Sequence, residues 1–252
     1  MIQTIIDTLA IPTFCKLEKP VFKKFFLESV NLDSADKKII RDDVKKITWL
    51  YALKPSNINI PKYEDGVVDY SEIAILQIDL LSESKAKKLN NILNKAIPYP
   101  LICFFAVDNK YAIGLANKRI NQIDKSKSLI EQDWLTNFFE KDKISEVDQK
   151  FLQDFSIKNL SSLNFYKFYQ DAVAKVVARS LAEKTGIYLV SNFLKSEVGI
   201  NALREMQEIE QKISNLRSSL TKETQFNRKL ELNVEIKNCQ SAIDEISKKF
   251  YK

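Results

Sequence analysis

The chain contains no histidine, and only four glycines and three cysteines in 252 residues. Without histidine there is no histidine-dependent triad, no imidazole acid–base chemistry and no histidine zinc ligand. Gly66, Gly114, Gly186 and Gly199 stand too far apart for a phosphate-binding loop, a dinucleotide fingerprint or a nucleophile elbow. Each of those motifs needs closely spaced glycines, to let backbone approach a ligand or to make a strained turn. No cofactor or metal is expected. Cys15, Cys103 and Cys239 are odd in number and widely spaced, which favours free thiols and a reducing cytoplasm. No apolar run approaches the length of a membrane span, and Met1 to Ala10 carry an acid and no base, unlike a secretory leader. The net charge of +6 permits nucleic acid as a partner without demanding it.

What is present is an ordinary globular composition, 45% hydrophobic and 29% charged, in a chain long enough for one core with an appendage. Its centre is the stretch from Ile97 to Arg119. Pro98-Tyr99-Pro100 excludes helix, and Leu101 to Val107 is an unbroken apolar run, as in a strand covered on both faces. Asp108-Asn109 make a tight return. Tyr111 to Lys118 then alternates, with small Ala112, Gly114 and Ala116 on one face, where another element can approach closely. Lys118-Arg119 close the strand with two cations.

Residues 1 to 20 read as an irregular lead-in broken by Pro12 and Pro20. Val21 to Val30 reads as a short helix with Phe22, Phe25 and Phe26 inward. Asp33 or Ser34 caps a helix running to about Lys46, which buries Ile40, Val44 and Ile47 and carries Lys37, Arg41 and Lys45 as a basic stripe. Ile47 to Lys54 alternates as a strand, with Ile47, Trp49, Tyr51 and Leu53 sharing a face. Pro55 and Pro61 bracket an extended segment, residues 62 to 70 form a polar loop, Ile73 to Leu81 is a strand and Glu83 to Ala96 a helix. After Arg119 the chain reads as helical, first around Trp134, Leu135, Phe138 and Phe139, then as a long helix from Leu163 to Lys184 ended by Gly186.

From about Ser196 two heptad seams follow: Met206, Ile209, Ile213, Leu216 and Leu220, then Leu232, Ile236, Cys239, Ile243, Ile246 and Phe250. The register breaks across Thr221 to Asn227. That break is the elbow of an antiparallel hairpin, capped by Thr221, or a stutter in one long helix, since neither glycine nor proline enforces a turn. The expected architecture is α+β: a mixed sheet with flanking helices over residues 1–140, a helical connector over 141–195, and a helical hairpin, an antiparallel coiled coil, over 196–252.

Four stretches together resemble a bacterial family: Ile47-Thr48-Trp49-Leu50-Tyr51-Ala52-Leu53-Lys54-Pro55 with Asn57-Ile58-Asn59-Ile60-Pro61; Ala96-Ile97-Pro98-Tyr99-Pro100-Leu101-Ile102; Ile113-Gly114-Leu115-Ala116-Asn117-Lys118-Arg119; and Gln225-Phe226-Asn227-Arg228-Lys229-Leu230-Glu231-Leu232-Asn233. The family is domain of unknown function (DUF) family 4391. The resemblance carries over no activity. It implies a neighbourhood of helicases and DNA methyltransferases of restriction or phage-defence type, an associational link only.

Three sets of residues are candidates for chemistry or contact. Asp69, Glu72 and Asp79 are the acids available to a metal-dependent nuclease core, but Gln77-x-Asp79 stands where an acid-x-Lys pair would be needed. Lys37, Arg41, Lys45, Lys118 and Arg119 are candidates for weak, salt-sensitive phosphate contact, and Trp49 and Tyr51 for base stacking. Gln225, Asn227, Arg228, Glu231 and Asn233 concentrate polar groups beside a heptad seam, either as a layer fixing helix register or as a surface for a protein partner. The expected function is a non-catalytic accessory or scaffold subunit of a DNA-directed defence system, docking a helicase or methyltransferase subunit, or itself. A degenerate metal-dependent nuclease and a nonspecific nucleic-acid-binding protein are the alternatives.

Overall fold

A computed structural model describes residues 3–29, 32–124, 128–186, 188 and 197–248. In chain order these form α1 (Gln3–Thr8), β1 (Lys16–Pro20), α2 (Lys23–Ser29), α3 (Ser34–Asp42), β2 (Val44–Leu53), the one-turn α4 (Pro55–Ile58), β3 (Tyr63–Glu64), β4 (Asp69–Tyr70) and β5 (Ile73–Leu80). There follow α5 (Ala86–Ala96), β6 (Leu101–Val107), β7 (Lys110–Ile120), β8 (Ser128–Leu135), β9 (Phe139–Glu140), α6 (Glu146–Asp154), α7 (Phe165–Thr185), α8 (Glu197–Lys222) and α9 (Phe226–Lys248). The chain divides into two compact units, Met1–Ser180 and Leu181–Lys252.

The first unit is built on a seven-stranded mixed sheet of order β1-β2-β5-β6-β7-β8, with β9 also paired to β7. Only β5 and β6 run parallel, and α5 is the crossover their direction requires. One core is formed by Leu76, Ile78 and Leu80 of β5, Cys103 and Phe105 of β6, and Leu89, Ile92 and Leu93 of α5, closed by Phe26 and Ile40. The small face of β7 is where α5 comes closest. A Cβ on Gly114 would lie 2.5 Å from the Asn90 side-chain oxygen. The buried Asn90 donates from Nδ2 to the carbonyls of Leu115 (3.2 Å) and Trp134 (3.3 Å), tying the helix to two strands. The buried Tyr169 of α7 donates its hydroxyl proton to Leu101 O (2.7 Å) and accepts from Ala116 N (3.0 Å), next to where the β6–β7 register ends.

Several sequence expectations need correction in this unit. Residues 1 to 20 contain a helix and a strand, because β2 supplies a ladder to an edge strand whose own residues are all exposed and show no pattern. Among the described residues of α2 only Phe26 is buried; Phe25 is exposed, and Phe22, 74% exposed, precedes the helix, so the expected inward face of three phenylalanines does not form. The helix after Asp33 stops at Asp42, so Val44, Lys45 and Ile47 lie in β2 and the basic stripe is broken. Asp33 does cap it, accepting from Asp36 N at 2.7 Å.

The common face of Ile47, Trp49, Tyr51 and Leu53 is broken by a bulge: Trp49 pairs with Leu76, but Tyr51 already pairs with Ile75. The extra residue, Leu50, sends Tyr51 and Leu53 to the face opposite Trp49. Pro55 to Ile58 is helical, with Pro55 in the first turn and the Asn57 side chain accepting from Lys54 N at 2.7 Å. Residues 62 to 70 hold the β3–β4 hairpin, whose turn is fixed by Asp65 accepting from Val67 and Val68 N. The stretch after Arg119 is strand, since β7 continues to Ile120 and pairs with β8.

The second unit holds α8 and α9, joined by Glu223–Gln225 and packed through Met206 and Ile213 against Leu232, Ile236 and Ile246, all buried. The fold is therefore α+β with a mixed sheet, and it ends in a helical hairpin. Thr221 does not cap α9; its hydroxyl donates back to Arg217 O within the last turn of α8. Glu223 serves the elbow, accepting from Thr224 N (2.8 Å) and Gln225 N (3.0 Å), bonds that hold its carboxyl below the usual range. Val30, Ser196 and Phe250 lie outside the described residues.

Candidate functional site

The hairpin has a feature its seam does not explain. Phe226, Leu230 and Val234 of α9 are 73%, 50% and 58% exposed. Their four-residue spacing places them in one row, and that row lies opposite Leu232, Ile236 and Cys239 on the helix. Interleaved with it are the polar residues singled out from sequence. Gln225, Asn227, Arg228, Glu231 and Asn233 are all exposed, so they form no layer within the seam. Arg228 donates to Glu231 at 2.5 Å within its own helix, and Asn233 Nδ2 donates to Lys229 O at 2.9 Å. The apolar row was legible as an i, i+4 pattern, but the stronger heptad signal hid it.

A second concave surface lies in the first unit. A groove of about 480 Å³ is lined by Phe22, Phe25, Trp49 and Tyr99, with Lys19 and Lys54 among its polar residues. Trp49 is fixed by its indole N–H donating to Tyr51 O at 3.0 Å, and its ring centroid stands 6.5 Å from that of Tyr99. Tyr51, its expected companion for stacking, is buried on the other face.

The five candidate cations are not brought together. Lys37 and Arg41 remain on α3. Lys45 reaches Asp108 (3.8 Å) in the β6–β7 turn, whereas Arg119 lies at the far end of β7 beside Glu131 (3.5 Å). Lys118 is not an exposed strand terminus. It is 6% exposed, and its Nζ donates to Ile97 O (2.8 Å) and Tyr99 O (2.7 Å), bracing the proline-bracketed link into β6. Burial pushes its amine down to about 7, partly offset by the neighbouring Cys103, whose own thiol burial pushes up to about 12. Between about pH 7 and 10.5 the unfolded chain holds a proton at Lys118 that the folded chain has released, so stability rises with pH across that window. In urea titrations this adds roughly 2 kcal/mol between pH 7 and 9. A Lys118→Met variant that shows the same rise would assign it elsewhere.

The three candidate acids do not form one cluster. Glu72 precedes β5 and pairs with Lys54 (3.1 Å), while Asp79 near the other end of β5 accepts from Gln77 Nε2 (2.8 Å). Seven strand positions separate them, roughly 23 Å. Asp69 accepts from Ser71 N (2.9 Å) beside β4. Among the described residues no group of three or more cysteines, aspartates or glutamates is placed to hold a metal ion, and no helix is long and apolar enough to cross a membrane.

Fold and surfaces together define an α+β protein that carries a helical hairpin with an exposed apolar row. It belongs to the family described as Domain of unknown function (DUF4391), whose profile matches residues 9–243. Neither the curated proteins nor the solved structures contain a significant match to the chain.

Proposed function

We propose that this chain is a non-catalytic accessory or scaffold subunit of a bacterial, cytoplasmic, DNA-directed restriction or phage-defence system, and that it docks a protein partner through the helices of residues 196–252. The observation that carries the docking role is the exposed row Phe226, Leu230 and Val234, since three large apolar side chains in register on one helix are costly to leave in water. The defence setting is supported only by the resemblance to the family. The scattered acids Asp69, Glu72 and Asp79 give the nuclease alternative no shared metal position. Weak contact with nucleic acid through Lys37, Arg41, Lys45 and Arg119 remains part of the reading, as separate points of charge on one surface or another.

Retrieval of the tagged full-length chain from its native host tests the docking role. The wild-type chain is expected to bring down a helicase or methyltransferase subunit in fixed stoichiometry, and Leu230→Glu to lose it. Retention of the same partner by Leu230→Glu would remove the hairpin from the docking role.

A further inference from the structure

We propose that the groove of about 480 Å³ at Trp49 binds a short stretch of single-stranded DNA, with bases lying on its aromatic rings and backbone phosphates at Lys19 and Lys54. The inference goes beyond the docking role of the hairpin and does not depend on it. Four aromatic side chains line the groove: Phe22, Phe25 and Tyr99 are exposed, and Trp49 is half-buried. So many rings gathered on one concave surface are costly to leave in water. The two central ones are held in place from behind. Trp49 is fixed by its indole N–H on Tyr51 O, and the backbone at Tyr99 is braced by the buried amine of Lys118, which donates to Tyr99 O. Phe22 follows Val21, whose N–H donates to Ile47 O at 3.0 Å and ties this segment to β2. The Trp49 and Tyr99 rings are 6.5 Å apart and tilted by 60°, which leaves no room for a base between them. Bases therefore lie on the open faces, as on a platform.

Charge and polarity name the occupant. Lys19 stands directly opposite Trp49 in the β1–β2 register, so its side chain leaves the same face of the sheet as the indole. It is exposed and has no ion-pair partner among the described residues. Lys54 binds Glu72 at 3.1 Å, which neutralises the one carboxylate among the lining residues and leaves the groove with a net positive charge. Several rings beside a surplus cation match a chain of planar bases joined by phosphates, since every base has a π-face whatever the sequence. A proline-rich or other apolar peptide would use the rings but leave Lys19 without a counter-charge. The 2′-hydroxyl of RNA would find only Glu72, already engaged by Lys54, which favours DNA. One or two phosphate contacts make the binding weak, with a dissociation constant of roughly 10–100 µM at low salt.

Fluorescence titration of the full chain reads the contact directly, because Trp49 is one of two tryptophans and the other, Trp134, is buried. A strand of about eight deoxyuridylates is expected to quench Trp49 on binding. Its abasic counterpart, with the same phosphates and no bases, is expected to bind roughly 5-fold more weakly or worse, and the ribose strand also more weakly. Phe22→Ala and Tyr99→Ala each weaken binding by roughly 5-fold or more. Lys19→Glu weakens it and takes about 0.7 from the slope of log affinity against log salt. Glu72→Gln tightens it, since the change removes a negative charge and releases Lys54 for phosphate; a merely structural Glu72 would not act in that direction. Circular dichroism confirms that the fold is unchanged, and the exposed Lys19 keeps the test valid where truncating a ring disturbs the groove. No binding at strand concentrations up to about 1 mM, an abasic strand that binds equally well, or affinity indifferent to Phe22, Tyr99 and Lys19 overturns the inference. So does tighter binding of the ribose strand. A chain that binds no strand, yet loses a host protein on Lys19→Glu, has a groove for a protein and not for DNA. Leu230→Glu is expected to bind the strand as the wild type does, so failure of the hairpin's docking role leaves this result untouched.

Discussion

Gly114→Ala is expected to destabilise the sheet unit by about 3 kcal/mol, well beyond the usual effect of adding one methyl group. The new Cβ would sit 2.5 Å from Asn90 Oδ1 and 2.8 Å from both Asn90 Cγ and the Phe105 ring. Neither neighbour can give way freely. Phe105 is fully buried in the core, and Asn90 is fully buried with Nδ2 shared between Leu115 O and Trp134 O and its Oδ1 accepting from Asn94 Nδ2 at 3.2 Å. Moving Asn90 loosens the bonds tying α5 to β7 and β8 and leaves buried carbonyls short of a donor, at roughly 1–3 kcal/mol each. Urea denaturation checks the size of the effect. The pair Asn90→Ala with Gly114→Ala should cost less than the sum of the single changes, since removing the carboxamide removes the nearer clash and leaves only that with the Phe105 ring. A single-variant loss below 1 kcal/mol would mean that α5 is not pinned to β7 at this point.

The second large effect is at a buried ion pair between α6 and α7. Arg179 is 2% exposed; its Nε and Nη2 donate to Asp148 Oδ1 at 3.0 and 2.9 Å, and its guanidinium lies 5.1 Å from the centre of the Phe139 ring. Asp148 also accepts from Ser145 Oγ at 2.7 Å and donates its backbone N–H back to that oxygen, so the same carboxylate secures the start of α6. Asp148→Ala is expected to cost about 3–5 kcal/mol, because it takes the carboxylate from a charge that stays buried. In a thermal scan this is a fall of roughly 10 °C for a unit of this size. The combined change Asp148→Ala with Arg179→Met should recover a large part of the loss. If the double variant is no better than the single, the cost lies in the α6 cap, not in the buried guanidinium.

Much of this architecture was legible in the residues, and what was not has identifiable causes. The β6–β7 pair, α5 and the hairpin seam were visible because each is a strong local signal: a long apolar run, or apolar positions repeated over several turns. Lys118 deceived because charge is ordinarily evidence of exposure, and nothing local reveals that the carbonyls of Ile97 and Tyr99, from a distant turn, converge on its amine. The bulge at Leu50 was invisible for a related reason. Alternation through Ile47, Trp49, Tyr51 and Leu53 was unbroken in sequence, and only pairing with β5 shows the extra residue. The strands β1 and β8 owe their form to neighbours more than to their own composition. For the candidate surfaces, the polar residues around Arg228 lie on the same stretch of α9 as the exposed apolar row. The groove at Phe22, Phe25, Trp49 and Tyr99 was missed because phenylalanine on a short helix was read as inward-facing.

The first strand bears on how this molecule behaves in a crowded solution. β1 stands at one end of the strand order, the position where a sheet could recruit a stranger's backbone. Its register with β2 skips between Lys16 and Lys19, Glu18 sits at φ 50°, and the strand ends on Pro20, which has no N–H to offer. These interruptions spoil the even row of donors and acceptors that another strand would need as a template. Growth by accretion of strands is discouraged at this border.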